Sequence, residues 1–280
     1  MNALEIKDLY KSYPGFQLDH INLTLPCGCI MGLIGENGAG KSTTIQLILN
    51  MVHKDSGSIT ILGKDNTSHI QLTKEQIGVV LDEVGIPECL TATQVGSVMK
   101  HSFHNWDAAA YSRLLEKLSL PKDKEFKEFS RGMKMKLGIA VALSHGAKLL
   151  ILDEATSGLD PVVRDEVVEM FHEFTRDEQN SVLLSSHIVS DLEKLCDYVA
   201  FLHKGKLLLC DEKDRILAKY GLIHCSKEQL TSLPTSAILH QKENPFGVEI
   251  MVLRDLVPDS FSILPISMEE IFICLVKEAG

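Results

Sequence analysis

The run "LLILDEATSGLDP" at 149–161 leads four aliphatic residues straight into two adjacent carboxylates, Asp153 and Glu154, and a third acid, Asp160, precedes the proline. Acids at the mouth of a strand that reads as buried are either its solvated polar end or groups that hold a metal and orient a water. A second run bears on the choice. "GENGAGKS" at 35–42 satisfies G-x-x-x-x-G-K-[ST], whose glycines let successive backbone N–H groups point at phosphate oxygens. It lies between the apolar "CIMGLIG" (29–35) and the helical-looking "KSTTIQLILNMV", which is the order strand, glycine loop, helix. The positive end of the helix dipole adds to the anion site.

In that setting Lys41 is placed to bridge the β- and γ-phosphates of a nucleotide, and the Ser42 hydroxyl to ligate Mg²⁺. A nucleotide–Mg²⁺ complex held by Ser42 needs a carboxylate, which Asp153 supplies. A water attacking the γ-phosphate needs another to orient it, and Glu154 is next door. A third piece, "EFSRGMKMKLGIA" (128–140), reads as an N-cap, Ser130, followed by a helix whose first N–H groups end on water or on an anion. Asp160 before Pro161 is explained as a helix cap without any catalytic role.

These residues require an α/β frame. Leu4 and Ile6, Phe16 and Leu18, then Ile21, Leu23 and Leu25 recur at period two, as do Ile59 and Ile61, predicting half-buried antiparallel strands. From about 88 to 145 the chain reads as mainly helical, with Asn105 as the cap of a helix "WDAAAYSRLLEKLSL" that stops at Pro121. Buried strands follow at 148–152 and 181–187, alternating with helices. One helix carries Val163, Val167, Met170, Phe171 and Phe174 on one face, and another Ile188, Leu192 and Leu195. "YVAFLHKGKLLLC" (198–210) reads as a hairpin turning at Lys204–Gly205. The expectation is a parallel sheet covered on both faces. Residues 1–220 form the nucleotide domain, with a helical subdomain at about 88–145. Residues 221–280 form a small α+β module whose chemistry is unreadable.

Composition narrows the class. The chain has 280 residues, 45% hydrophobic and 24% charged, in the range of a globular protein with a sizeable core. A net charge of −10 argues against nucleic acid as a partner. The seven scattered cysteines lack zinc spacing and read as buried free thiols of a reducing compartment. The sequence reads without a signal peptide or an uncharged apolar run of about 18 residues, so if the protein works at a membrane the span is expected from another chain. His101 and His104 lack the acids or cysteines of a metal site, and Trp106 reads as a packing residue.

Taken together, the motifs resemble those of the nucleotide-binding subunit of an ABC transporter, in order, over about residues 1–220. "GENGAGKST" resembles the Walker A motif, implying ATP contacts along Gly35, Glu36, Asn37, Gly38, Ala39, Gly40, Lys41, Ser42 and Thr43. "LLILDE" resembles Walker B with its catalytic glutamate, Glu154. "SGLD" (157–160), ending at Asp160, resembles the D-loop. His187 stands where the family has its switch histidine, and Tyr13 where it stacks an aromatic ring on adenine. "FSRGM" (129–133) resembles the signature motif, with Ser130 and Gly132 retained. The resemblance implies a P-loop NTPase core with an antiparallel β subdomain and a helical subdomain. It further implies ATP and Mg²⁺ as cofactors, and ATP sandwiched between the Walker A loop of one subunit and the Ser130 helix of another, in a homodimer or heterodimer.

Two motifs depart from the family. Asp82, in "IGVVLDEVG" (77–85), stands where glutamine is usual near Mg²⁺; it adds negative charge and is expected to tighten Mg²⁺ dependence or slow turnover. Arg131 and Met133 replace the glycine and glutamine of the signature. The sequence resembles most the bacterial ABC-2 exporters, including those handling peptides or antibiotics. That implies an ATPase peripheral on the cytoplasmic face of the membrane, driving a transmembrane permease. The alternative is a soluble ABC-type ATPase or nucleotide sensor acting on a non-membrane partner.

Overall fold

The computed structural model describes residues 1–69, 74–156, 159–245 and 247–279. Strands β1 (Asn2–Tyr13) and β2 (Phe16–Pro26) form an antiparallel hairpin in which Tyr13 pairs with Phe16 across the turn. Their alternate residues Leu4, Ile6, Leu18, Ile21, Leu23 and Leu25 are buried, as period two requires. The fully buried β3 (Ile30–Ile34) runs into the glycine loop and α1 (Lys41–Ile48). The helix ends at Ile48, earlier than its apolar pattern suggests, and Asn50 takes a left-handed φ of 52°. Strands β4 (Ser56–Ile61) and β5 (Lys64–Asp65) complete an antiparallel sheet of order β2-β1-β4-β5.

After β6 (Ile77–Val80) come three helices: α2 (Ala92–Ser102), α3 (Ala108–Lys117) and α4 (Arg131–Ala142). The cap of α3 is Asp107, whose carboxylate accepts the Ala110 N–H at 2.8 Å; Asn105, the expected cap, lies outside the helix. Trp106 instead packs its ring on Tyr111, centroids 5.0 Å apart. The chain then alternates β7 (Leu149–Asp153), α5 (Pro161–Thr175), β8 (Ser181–Ser186), α6 (Val189–Leu195) and β9 (Tyr198–His203), and turns back as β10 (Lys206–Glu212). The turn falls at Lys204–Gly205 as expected. The six-stranded sheet has the order β10-β9-β3-β8-β7-β6 and is parallel except for β10.

Both faces of this sheet are covered. Along β3, Ile30 and Ile34 face the helices, packing with Val167, Phe171 and Leu192. Met31 and Leu33 face the antiparallel sheet and α1, packing with Leu4, Leu23 and Ile45. Because neither face meets water, the parallel strands read as continuous apolar runs rather than alternating ones.

Beyond α7 (Lys213–Lys219), strands β11 (Tyr220–Cys225), β12 (Ile238–Asn244) and β13 (Gly247–Leu253) form a sheet of order β11-β13-β12, with α8 (Lys227–Leu230) between the first two. Ile223, Val248, Ile250 and Val252 give it a small core of its own. The last helix, α9 (Met268–Ala279), belongs to the main core instead: Met268, Ile271 and Phe272 are buried there, and the Phe272 ring lies 5.1 Å from that of Phe201 on β9. All seven cysteines are free; Cys196 and Cys225 are buried as expected, but Cys89 is exposed. Burial pushes the Cys210 thiol up to about 11.

Removing the ring that ties α9 to β9 tests this arrangement. Phe272→Ala should cost about 3–5 kcal/mol in urea unfolding, as a shift of the main cooperative transition. A small separate transition would show that α9 does not share the core.

Candidate functional site

The parallel strands end at one level. Ile34 at the end of β3 pairs with Ser186, and Asp153 at the end of β7 pairs with Ser185, so the segments that follow leave the sheet side by side. Ligands in α/β sheets bind at this carboxyl edge. β6, paired with β7 through Val80 and Leu152, brings Leu81 and Asp82 to the same edge.

The glycine loop is held down by the β9–β10 hairpin. A Cβ on Gly35 would fall 2.4 Å from the Leu202 carbonyl oxygen, so the loop's approach to β9 admits no side chain there. Gly40, at φ 109°, is the N-cap of α1 and offers no side chain to the first amides of the helix, which are left for an anion. The Gly205 N–H donates to the Ala39 carbonyl at 2.9 Å, joining the hairpin tip to the loop.

Lys41 is only 5% exposed. Its ammonium donates to the carbonyls of Gly35 (2.7 Å) and Glu36 (3.2 Å) and lies 3.3 Å from Glu154 Oε1. The other oxygen, Oε2, meets His187 Nδ1 at 2.8 Å. Glu154 sits at φ 53°, a left-handed conformation uncommon for a side-chain-bearing residue, which turns the chain sharply off the strand end. Its N–H donates to Ser185 Oγ at 3.0 Å, and that hydroxyl donates to Asp153 Oδ1 at 2.5 Å. One serine on β8 thus holds the Asp153 carboxylate and the backbone N–H of Glu154, just past the end of β7. Ser185 carries a role the sequence reading did not assign; two serines, 185 and 186, ending the apolar run "SVLL" were the signal.

A cavity of about 580 Å³ opens above these groups, walled by Lys41, Ser42, Asp82, Arg131, Glu154 and His187. Glu36, Asn37, Gly38, Gly40 and Thr43 form its loop side. Gly35 and Ala39 are buried within the loop, and Asp153 is buried with its carboxylate on Ser185. The aromatic side chain on the cavity wall is Phe16; Tyr13, across the hairpin turn, is 37% exposed with Lys11 Nζ 5.3 Å from its ring centroid. Ser130 caps α4 by accepting the Met133 N–H at 3.3 Å; it and Gly132 are not on the wall of their own chain's cavity, whereas Arg131 between them is. Asp160 caps α5, accepting the Val163 N–H at 3.1 Å. Ser157 and Gly158 of "SGLD" lie outside the described residues.

The two departures from the family pattern touch each other: Arg131 Nη2 lies 2.6 Å from Asp82 Oδ1. His101 and His104 are engaged locally, with the Ser97 carbonyl and the Glu75 carboxylate, and no metal-holding group of histidines, cysteines and acids occurs among the described residues. Ser42 with Asp153 and Asp82 is a hard-oxygen donor set of few members. That suits Mg²⁺, which takes one or two protein oxygens and completes its shell with water and phosphate.

The arrangement can therefore seat an anion on backbone N–H groups and Lys41, and present an oriented carboxylate, Glu154, to a water beside it. Ser185→Ala should leave the protein folded and lower kcat for ATP hydrolysis by about tenfold or more, because the Asp153 carboxylate loses its hydroxyl donor and the Glu154 N–H its acceptor. An unchanged kcat would remove Ser185 from the site.

The family model described as "ABC transporter" matches residues 18–157. A lantibiotic transport ATP-binding protein of Streptococcus pyogenes is 39% identical over 214 residues, 75% of this chain and 91% of that one. The bacitracin transport ATP-binding protein of Bacillus licheniformis is 36% identical over 208 residues, 73% of this chain and 68% of that one. A solved structure of the ATP-binding subunit of an ABC transporter superposes with a TM-score of 0.70 at 29% identity, covering 76% of this chain and 91% of that chain. With the glycine loop, Lys41 and Glu154 assembled at one sheet edge, the chain belongs to the ABC transporter family and carries its ATP-binding, ATP-hydrolysing cassette.

Proposed function

We propose that this chain is the ATPase subunit of a bacterial exporter of the ABC-2 kind, working at the inner face of the membrane with a separate transmembrane permease. The observation that carries the catalytic part is the position of Glu154, between Lys41 and His187 at the cavity floor. Incoming phosphate offers Lys41 a new partner, and the glutamate it leaves is free to orient water. His187 then stands beside both the glutamate and the terminal phosphate. Ser42, Asp153 and Asp82 would hold Mg²⁺, which would supply positive charge against the β- and γ-phosphates. Phe16 and Tyr13 offer aromatic surface to the base.

The partner reading rests on two features. Ser130 and Gly132, unlike Arg131 between them, stand off their own chain's cavity and serve the nucleotide of a second cassette, identical or related. A groove of about 1020 Å³ runs between β6 and the helices, lined by Met51, Val79, Met99 and Phe103, of which Met51 is 59% exposed. It suits an apolar segment of the permease. No helix among the described residues is long and apolar enough to cross a membrane. The bacitracin and lantibiotic transport relatives point to a peptide antibiotic as the class of cargo.

Two experiments test this. Glu154→Gln should lower ATP hydrolysis by roughly 10²–10⁴-fold and spare ATP binding; hydrolysis at the wild-type rate would remove Glu154 as the base. Purification from native membranes in mild detergent should bring down a multi-span protein in about one-to-one ratio. Soluble partners alone would move the function to an ATPase or sensor without transport.

A further inference from the structure

Asp82 and Arg131 are 49 positions apart and come from different parts of the fold, the loop after β6 and the first turn of α4. They meet at 2.6 Å on the wall of the nucleotide cavity. The other charged groups of that wall have partners of their own, Glu36 facing His203 Nδ1 at 3.5 Å. Lys41 is engaged by two carbonyls and Glu154, and Glu154 by Lys41 and His187. Arg131 is thus the permanent cation that answers Asp82. Helix stability does not account for it, since a cation in the first turn opposes the helix dipole.

We propose that Arg131 is a positioning residue for Asp82, holding the carboxylate on the cavity wall and competing with the divalent cation for it. The inference rests on the nucleotide-site reading above, in which Asp82 lies on the metal side. The exchange is easy for a physical reason. Both side chains are more than half exposed, at 60% and 51%. An ion pair of that kind shifts an equilibrium only roughly two- to fivefold, so a divalent cation beside bound phosphate displaces it. Arg131 in this way offsets the charge that aspartate brings to a position where the family usually carries an uncharged amide, and sets the cation concentration at which the site fills.

The test reads cation binding rather than turnover. Mn²⁺ is titrated by EPR into the full-length protein saturated with a non-hydrolysable ATP analogue. Arg131→Ala should tighten Mn²⁺ binding about threefold when Asp82 is present and leave it unchanged in an Asp82→Ala background, while Arg131→Lys keeps the wild-type value. An equal effect of Arg131→Ala in both backgrounds would show a guanidinium acting directly on the cation, and would overturn the proposal. So would a loss of affinity, or no change, in the single variant. If no variant binds Mn²⁺ in a nucleotide-dependent way, the nucleotide-site reading falls and the role of the pair falls with it.

Discussion

The contact on which the site depends is the one between Lys41 and Glu154. An ammonium this buried needs polar partners in place of water, and the fold provides them: the carbonyls of Gly35 and Glu36 and the Glu154 carboxylate. The pair joins the loop after β3 to the turn after β7, across the intervening strand β8. His187, just past the end of that middle strand, and Ser185 on it complete the junction by holding the second carboxylate oxygen and the Glu154 N–H. Three strand ends are thereby joined through one glutamate. The same contact is also the part that nucleotide changes, because phosphate competes for the lysine.

Everything behind the edge serves to keep those strand ends level. β3, β7 and β8 are buried along their whole length, and their parallel register leaves little freedom for one to slip past another. Apolar packing on two faces, helices on one side and the antiparallel sheet with α1 on the other, supplies the stability. α9 adds Phe272 to the helical side, against Phe201 on the strand whose hairpin presses on the glycine loop. The end of the chain is therefore mechanically near the site although far from it in sequence.

The cavity's outer wall is built differently. Asp82 and Arg131 are exposed and held by one ion pair, so this side is electrostatic and adjustable where the floor is buried and fixed. A floor that must present a carboxylate at a set angle tolerates little motion. A wall that must admit nucleotide and cation cannot be closed.

Much of the catalytic apparatus was legible in the chain itself. The glycine loop followed by a helix, the acids after an apolar run, and the cap at Ser130 are local patterns, because backbone geometry over a few residues dictates which side chains fit. The buried strands and their alternation with helices were legible for the same reason. Contacts between distant positions were not. Ser185 on Asp153 and the Glu154 backbone, Phe16 rather than Tyr13 on the cavity wall, the Asp82–Arg131 pair and the docking of α9 on β9 each join segments roughly thirty to seventy residues apart, or depend on which face of a turn looks inward. Spacing along a chain fixes neither. The sequence by itself determined which residues can do the chemistry, and the packed sheet edge decided which of them meet, because only tertiary register sets the distance between strand ends.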